Sequence, residues 1–189
     1  YVQPSAVPEH SIYTEKGTKG KTILPDGSTV WLNSDSRLTY PDKFASDVRE
    51  VHFSGEAVFE VVKNPEWPMT ITTDKGMQVK VLGTRFHIRS YDDEEDEQAT
   101  LFEGHINITK RIGSEEIHKD LVPMQTFSSY QGKSPELLSD ADTLDKIAWK
   151  QGELVFQDTP MEEVEKIQVS CPTGSQQDSS RNRWCRYWK

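Results

Sequence analysis

Cysteine is almost absent from this 189-residue sequence: only Cys171 and Cys185 occur, both within the last twenty residues. The body of the chain therefore neither relies on disulfides nor offers a thiolate nucleophile. Long hydrophobic runs are also missing, so no segment reaches the length of a membrane span and no signal-peptide pattern opens the chain. At this length, one domain and part of a second can bury a core without a metal or a disulfide.

Basic residues are scarce relative to acidic ones, with 22 Lys and Arg against 31 Asp and Glu and a net charge of −9. A surface this acidic repels phosphates, which disfavours nucleic acid and anionic lipid as partners. The densest acidic run is DDEEDE, residues 92–97, which we predict to be a solvated loop. A calcium site there would need EF-hand spacing with a turn glycine, and the run has neither.

The usual signatures of a catalytic or metal site are lacking as well. The sequence has five histidines, His10, His52, His87, His105 and His118, and no two of them have the spacing of a metal site. Lone histidines on polar strand faces are mostly surface residues. There is no nucleophile elbow, and no Gly-rich loop opens a helix. We therefore predict that the chain is not an enzyme and uses no metal or cofactor.

Two pairs of residues nevertheless suggest a function that involves sugars. Glu56 and Glu60 resemble the paired carboxylates of a glycosidase, but alternation places them opposite Phe53, which predicts a solvated face. Trp31 and Trp67 could be platforms for stacked sugars, although aromatics in such strands more often fill the space between sheets. A carbohydrate-binding β-sandwich module is therefore the alternative hypothesis.

Short segments of alternating polarity, separated by turn residues, make up most of the sequence. Three of them predict β-hairpins: TILPDGSTVWLN turns at residues 25–27, MTITTDKGMQVKV at 74–76 and ATLFEGHINIT at 103–104. Strands this short, with turns roughly every 8–12 residues, predict an all-β fold. We expect an antiparallel β-sandwich or jelly-roll-like domain.

Two glycines interrupt what would otherwise be long regular strands. In VKVLGTRFHIRSY, residues 79–91, the apolar residues before Gly83 and those after it belong to opposite phases. A one-residue phase shift predicts a bulge, or a sharp bend where a strand changes sheet. In EVHFSGEAVFEVV, residues 50–62, Gly55 and Ala57 predict a bend or a close approach by another backbone.

A different unit is predicted near the C-terminus. A polar connection with a helical turn leads to a strand at Glu153–Phe156, followed by DTPMEEVEKI, residues 158–167. This segment has an N-cap threonine, a proline at the first helical position and a glutamate three residues after the cap, which together predict a helix start. The final residues, 171–189, have no periodicity and predict a disordered tail.

Taken in order, the motifs are similar to the periplasmic domain of FecR-type anti-sigma regulators. The resemblance lies in LPDGSTVWLN, SGEAVFEV, VLGTRF and LFEGHINIT, and it extends over residues 16–164. Met124 of LVPMQTFSSY stands where that family usually has glycine. AWKQGELVFQDTPMEEV resembles the opening of the family's C-terminal module, a small signalling-domain-like α+β fold that is incomplete here.

The resemblance implies a signal-receiving periplasmic part of a single-pass inner-membrane anti-sigma factor. Its partners would be the N-terminal signalling domain of a TonB-dependent outer-membrane transducer and, through a cytoplasmic segment outside this chain, an extracytoplasmic-function sigma factor. We predict partner binding at Leu154, Phe156, Met161 and Val164. The expected organisation is a linker at 1–15, the β domain at 16–133, a connection at 134–148, the start of the α+β module at 149–170, and the tail at 171–189.

Overall fold

The structure is a computed structural model, and it describes residues 8–130, 133–139 and 145–151. The chain divides into two compact units, Tyr1–Thr143 and Leu144–Lys189. The described part of the first unit contains the strands β1 (Glu9–Thr14), β2 (Gly20–Ile23), β3 (Thr29–Leu32), β4 (Ser36–Pro41), β5 (Arg49–Glu60), β6 (Met69–Thr73), β7 (Met77–Val81), β8 (Arg85–Ser90), β9 (Asp96–Glu103), β10 (Ile106–Ile112), β11 (Glu115–Leu121), β12 (Gln125–Tyr130) and β13 (Glu136–Ser139).

The second unit is described only from residue 145 to residue 151. Here one helical turn, α1 (Asp145–Ala148), runs into a 3₁₀ turn at Trp149–Gln151, which agrees with the helical turn predicted in this connection. Within the described ranges, no helix is long and apolar enough to cross a membrane.

The strands of the first unit form one continuous curled sheet with two sections that share β5. The order in the first section is β1-β4-β5-β6-β7-β10-β11. The second section has the order β2-β3-β5-β8-β9-β12-β13. All neighbours are antiparallel except β5 and β6, which run parallel. The predicted all-β, sandwich-like fold is confirmed, with this one parallel pair as an addition.

One hydrophobic core joins the two sections. Phe53, from the first section, meets Phe59, from the second, edge to face at 5.5 Å between ring centroids. Phe59 in turn stacks on Phe86 at 5.1 Å. These three rings are at most 1 % exposed, so their burial contributes about 1.5–3 kcal/mol each. Val30 and Leu32 of β3 are completely buried in this core.

Strand β5 passes from one section to the other at Gly55. Residues up to Ser54 pair in the first section, and residues from Gly55 pair with β8 in the second. Gly55 has φ +108°, and a Cβ at this position would lie 2.6 Å from the Cα of Ser36. Both conditions exclude a side chain, so the predicted bend and close backbone approach at Gly55 are confirmed.

The stretch Val79–Tyr91 is two strands rather than one, because the chain turns a corner at Gly83. β7 ends at Val81 in the first section, and β8 begins at Arg85 in the second. Gly83 has φ +147°, and an added Cβ would overlap the Cα of Lys63. The phase shift read from the sequence therefore marks a change of sheet section, as predicted.

Two of the three predicted hairpins are confirmed, and the third is wrong. β2 pairs with β3, and β6 pairs with β7, across their predicted turns. β9 and β10 do not pair: β9 lies between β8 and β12, whereas β10 lies between β7 and β11. Gly104 has φ +98°, and an added Cβ there would lie 3.0 Å from the Gly83 carbonyl oxygen, so the backbone runs close to the other corner glycine at this point. The chain crosses between sections there instead of folding back.

Two short strands occur in segments that we expected to be irregular. Residues 9–14, within the predicted linker, form β1, because Ile12 packs on the core and Thr14 is buried. Residues 136–139, within the predicted connection, form β13 along β12. Each is an outer strand in its section, where prolines and exposed side chains weaken the sequence signal of a strand.

Candidate functional site

The residues predicted to bind a partner all fall after residue 151. Leu154, Phe156, Met161 and Val164 lie outside the described residues, and their role stays a prediction. Within the described ranges, three buried networks each contain a carboxylate with a basic partner. These networks are the candidate functional sites of the β domain.

The first network surrounds Glu56, which the sequence predicted to be solvated. That prediction is wrong, because Glu56 is only 7 % exposed. Its Oε2 accepts hydrogen bonds from Asn33 Nδ2 at 2.7 Å and Arg89 Nη1 at 3.2 Å, and its Oε1 lies 2.9 Å from His87 Nε2. His87, expected at the surface, is 1 % exposed. Both faces of β5 are buried beyond Gly55, which strand alternation does not predict.

The environment of Glu56 keeps its carboxyl group ionised. Burial alone would raise the pKa of Glu56, but the hydrogen bond and attraction of His87, the charge of Arg89 and the hydrogen bond of Asn33 outweigh it. The pKa therefore lies below its ordinary value. A general acid needs the opposite shift, so Glu56 does not fit that role. Its supposed partner Glu60 lies near Arg85, with 3.8 Å between Oε1 and Nε.

Arg89 and Tyr91 extend the first network to neighbouring segments. Arg89 pairs with Glu94 as well as with Glu56. The Tyr91 hydroxyl donates to the Ser34 carbonyl at 2.9 Å. Burial, followed by the charge of Glu56, raises the pKa of Tyr91, so its hydroxyl remains a donor. The result is a set of cross-links between β8, β5 and the segment before β4.

The second network has a buried ion pair at its centre. Arg49 and Asp26 have side chains that are 1 % and 2 % exposed, and Nη1 lies 2.5 Å from Oδ2. The Ser28 hydroxyl donates a hydrogen bond to Asp26 at 2.6 Å, and the Ser28 hydroxyl oxygen accepts a hydrogen bond from the Val62 amide at 3.0 Å. Arg49 Cζ lies over the Trp67 ring, 5.4 Å from its centroid. The turn predicted from Pro25-Asp26-Gly27 thus also supplies the counter-ion of β5.

The third network involves the end of the acidic run. Glu97, predicted to lie in a solvated loop, is 2 % exposed and forms an ion pair with Lys110. It also accepts from Thr73 at 2.9 Å and from Ser90 at 3.1 Å. The prediction failed because the run enters β9 at Asp96, and the second residue of that strand faces inward. Lys110 lies thirteen residues after Glu97, and no pattern in the sequence indicates that the two residues form an ion pair.

The remaining sequence candidates do not assemble a site. Among the described residues, no group of His, Cys, Asp and Glu could hold a metal ion. His105, the best outlier among the histidines, is exposed beside Asp120 at 3.3 Å. Lys21 lies over the Trp31 ring at 4.4 Å, as Arg49 does over Trp67. A cation therefore lies over one face of each of these two indole rings.

Comparisons with known proteins identify relatives among bacterial regulators. The family model described as FecR protein matches residues 10–107, slightly more than half of the chain. Two crystal structures of a candidate anti-sigma factor from Parabacteroides distasonis ATCC 8503 have a similar fold. One shares 27% identity at a TM-score of 0.72, with 83% of this chain and 71% of that chain covered. The other shares 28% at 0.71, with 82% and 71% covered. No curated protein sequence matches.

Proposed function

Because the chain belongs to the FecR family of anti-sigma factors, we propose that it is the signal-receiving, periplasmic part of a transmembrane regulator. In this proposal a TonB-dependent outer-membrane transducer presents its N-terminal signalling domain to the chain. The signal then passes through a membrane segment to an extracytoplasmic-function sigma factor. The observation that carries the proposal is the family match over residues 10–107.

The buried networks support a relay rather than catalysis. Each buried carboxylate of the described residues has a cationic partner: Arg89 for Glu56, Arg49 for Asp26 and Lys110 for Glu97. Charges that are buried and paired across strands favour one strand register. A rigid β domain of this kind suits a protein that presents a binding surface.

We place the receiving surface in the C-terminal module, at Leu154, Phe156, Met161 and Val164. The sequence predicts a strand at Glu153–Phe156 followed by a helix start, which resembles the opening of the family's C-terminal module. A strand with an unpaired edge can accept a strand from a partner, and main-chain hydrogen bonds then supply much of the affinity.

A calorimetric titration of the full chain with the signalling domain of its cognate transducer tests this proposal. We expect saturable 1:1 binding. Leu154→Pro should abolish it, because proline removes a backbone donor from the receiving strand, and Phe156→Ser should weaken it. Ile23→Ser is the matched control, since Ile23 is 65 % exposed on β2 in the other unit. Unchanged affinity in both C-terminal variants, with an intact circular dichroism spectrum, would contradict the proposed surface.

A further inference from the structure

An open groove of about 610 Å³ lies at the corner where the chain passes between the two sheet sections. We call it the corner groove, and its defining residues are Lys63, Pro65, Lys80, Leu82, Gly104 and His105. Its size is in the range of pockets that bind ligands. All of its lining comes from the first unit of the chain.

The floor of the corner groove is apolar and offers few backbone donors. Leu82 is 44 % exposed, which is unusual for a leucine next to the buried end of a strand. Pro65 and Pro68 line the same groove, and proline has no N–H to donate to an added strand. The groove is therefore suited to receive side chains rather than a pairing strand.

The rim of the corner groove is basic although the protein is acidic. No Asp or Glu lines the groove, whereas the whole chain has 31 acidic and 22 basic residues. Lys63 and Lys80 are exposed, and neither forms an ion pair within the part of the chain that the structure describes. His105 lies 3.3 Å from Asp120, so the two lysines supply the uncompensated charge.

The corner groove is preorganised by hydrogen bonds beneath it. The Asn64 amide donates to the Leu82 carbonyl at 2.7 Å, and the Val61 amide donates to the Thr84 carbonyl at 3.0 Å. The Thr84 hydroxyl donates to the His105 carbonyl at 3.0 Å. Because these bonds fix the segments that carry the rim and the floor, binding would cost little ordering entropy.

We propose that the corner groove binds an acidic segment of a partner protein that inserts a bulky apolar side chain against Leu82, with its carboxylates on Lys63 and Lys80. This second interaction surface goes beyond the proposed receiving role of the C-terminal module and does not depend on it. The complementary charges favour a negatively charged partner and oppose a basic one.

The test is an NMR titration of the ¹⁵N-labelled full chain with three six-residue peptides: EDLFDE, the charge-reversed KKLFKK and the apolar-deleted EDSSDE. We expect EDLFDE to shift the amides of Lys63, Leu82, Thr84 and His105, and the other two peptides to bind about tenfold more weakly or not at all. Shifts confined to other regions, or equal binding of KKLFKK, would overturn the proposal. Equal binding of inorganic phosphate or phosphatidylglycerol vesicles would also overturn it, in favour of a general anion site.

Charge-reversed variants identify the groove as the binding surface. The double variant Lys63→Glu/Lys80→Glu should weaken EDLFDE binding by about tenfold or more at low salt. Lys16→Glu/Lys43→Glu changes the net charge equally at exposed sites outside the groove and should leave binding within about twofold. Equal losses in both double variants would refute the site. Leu82→Ser, which removes an exposed apolar side chain, should reduce binding without unfolding the protein.

Discussion

Removal of either partner of the Arg49–Asp26 ion pair should destabilise the β domain strongly, whereas removal of both should cost much less than the sum. The two side chains are 1 % and 2 % exposed, so water does not screen the charge that remains. Breaking a buried pair in this way costs about 3–5 kcal/mol. Against a typical total stability of about 5–15 kcal/mol, one substitution removes a large share.

The variants are Asp26→Asn, Arg49→Met and their combination, chosen because each preserves the approximate volume of the side chain. The double variant leaves no uncompensated charge, so we expect a coupling free energy of about 2–3 kcal/mol between the two sites. Urea unfolding followed by tryptophan fluorescence is a suitable assay, since Trp67 lies against Arg49. Glu116→Gln is the control: it breaks an exposed pair with Arg111, and such pairs contribute about 0–1 kcal/mol.

Additive single-variant costs, with a coupling free energy below about 0.5 kcal/mol, would refute this reasoning. In that case the cost of each substitution would come from lost packing or from the hydrogen bonds of Ser28, and the ion pair would contribute nothing of its own. A cost for Glu116→Gln as large as that for Asp26→Asn would refute it as well, because burial would then not decide the value of a pair.

Three further predictions use the same unfolding assay. Gly55→Ala should destabilise the protein by about 2–4 kcal/mol, because the positive φ is combined with overlap of the new Cβ on Ser36. Gly76→Ala is the control: Gly76 has φ +85° with open space around it, so this change should cost only about 1 kcal/mol. Equal costs for the two variants would contradict the close approach of the Ser36 backbone to Gly55. The pKa of Glu56 is lower in the folded state than in the unfolded chain. The ionised carboxylate therefore stabilises the fold above the unfolded-state pKa of about 4.3, and this stabilisation is lost as the pH falls through the folded-state pKa. Glu56→Gln should make the free energy of unfolding depend less on pH over that acidic range, and an unchanged pH profile would contradict this. Met124 has φ +71°, so Met124→Gly should stabilise by about 0.5–1 kcal/mol after the added entropy of the unfolded chain is subtracted; a loss of stability would show that the contacts of the Met124 side chain outweigh its backbone strain.

Met124 stands where the resemblance leads one to expect glycine, and the structure has there the positive φ that glycine adopts without strain. Backbone geometry of this kind has a local signal in the sequence. The same holds for Gly55 and Gly83, whose place in the alternating pattern indicated a bend before any strand pairing was known. Such features are predictable because they depend on the steric limits of a single residue.

The polar networks were missed because they depend on contacts distant in sequence. Asp26 was assigned to a turn, Glu56 and His87 to a solvated face, and Glu97 to a loop. Strand alternation tells which residues share a face, but it does not tell whether another segment covers that face. The basic and histidine partners of the three carboxylates lie between 13 and 33 positions away along the chain, so no local pattern indicates them.

The sequence by itself determined the all-β class, the two hairpins with turns at residues 25–27 and 74–76, the two corner glycines and the family. Each of these follows from turn chemistry, from period-two alternation or from motif order, which are local properties of the chain. Only the tertiary structure decided that β9 and β10 separate into different sheet sections, that Glu56 and Glu97 are buried, and that a basic groove forms at the corner. These depend on which distant strands pair, and pairing is selected by the free energy of the whole core rather than by any one segment.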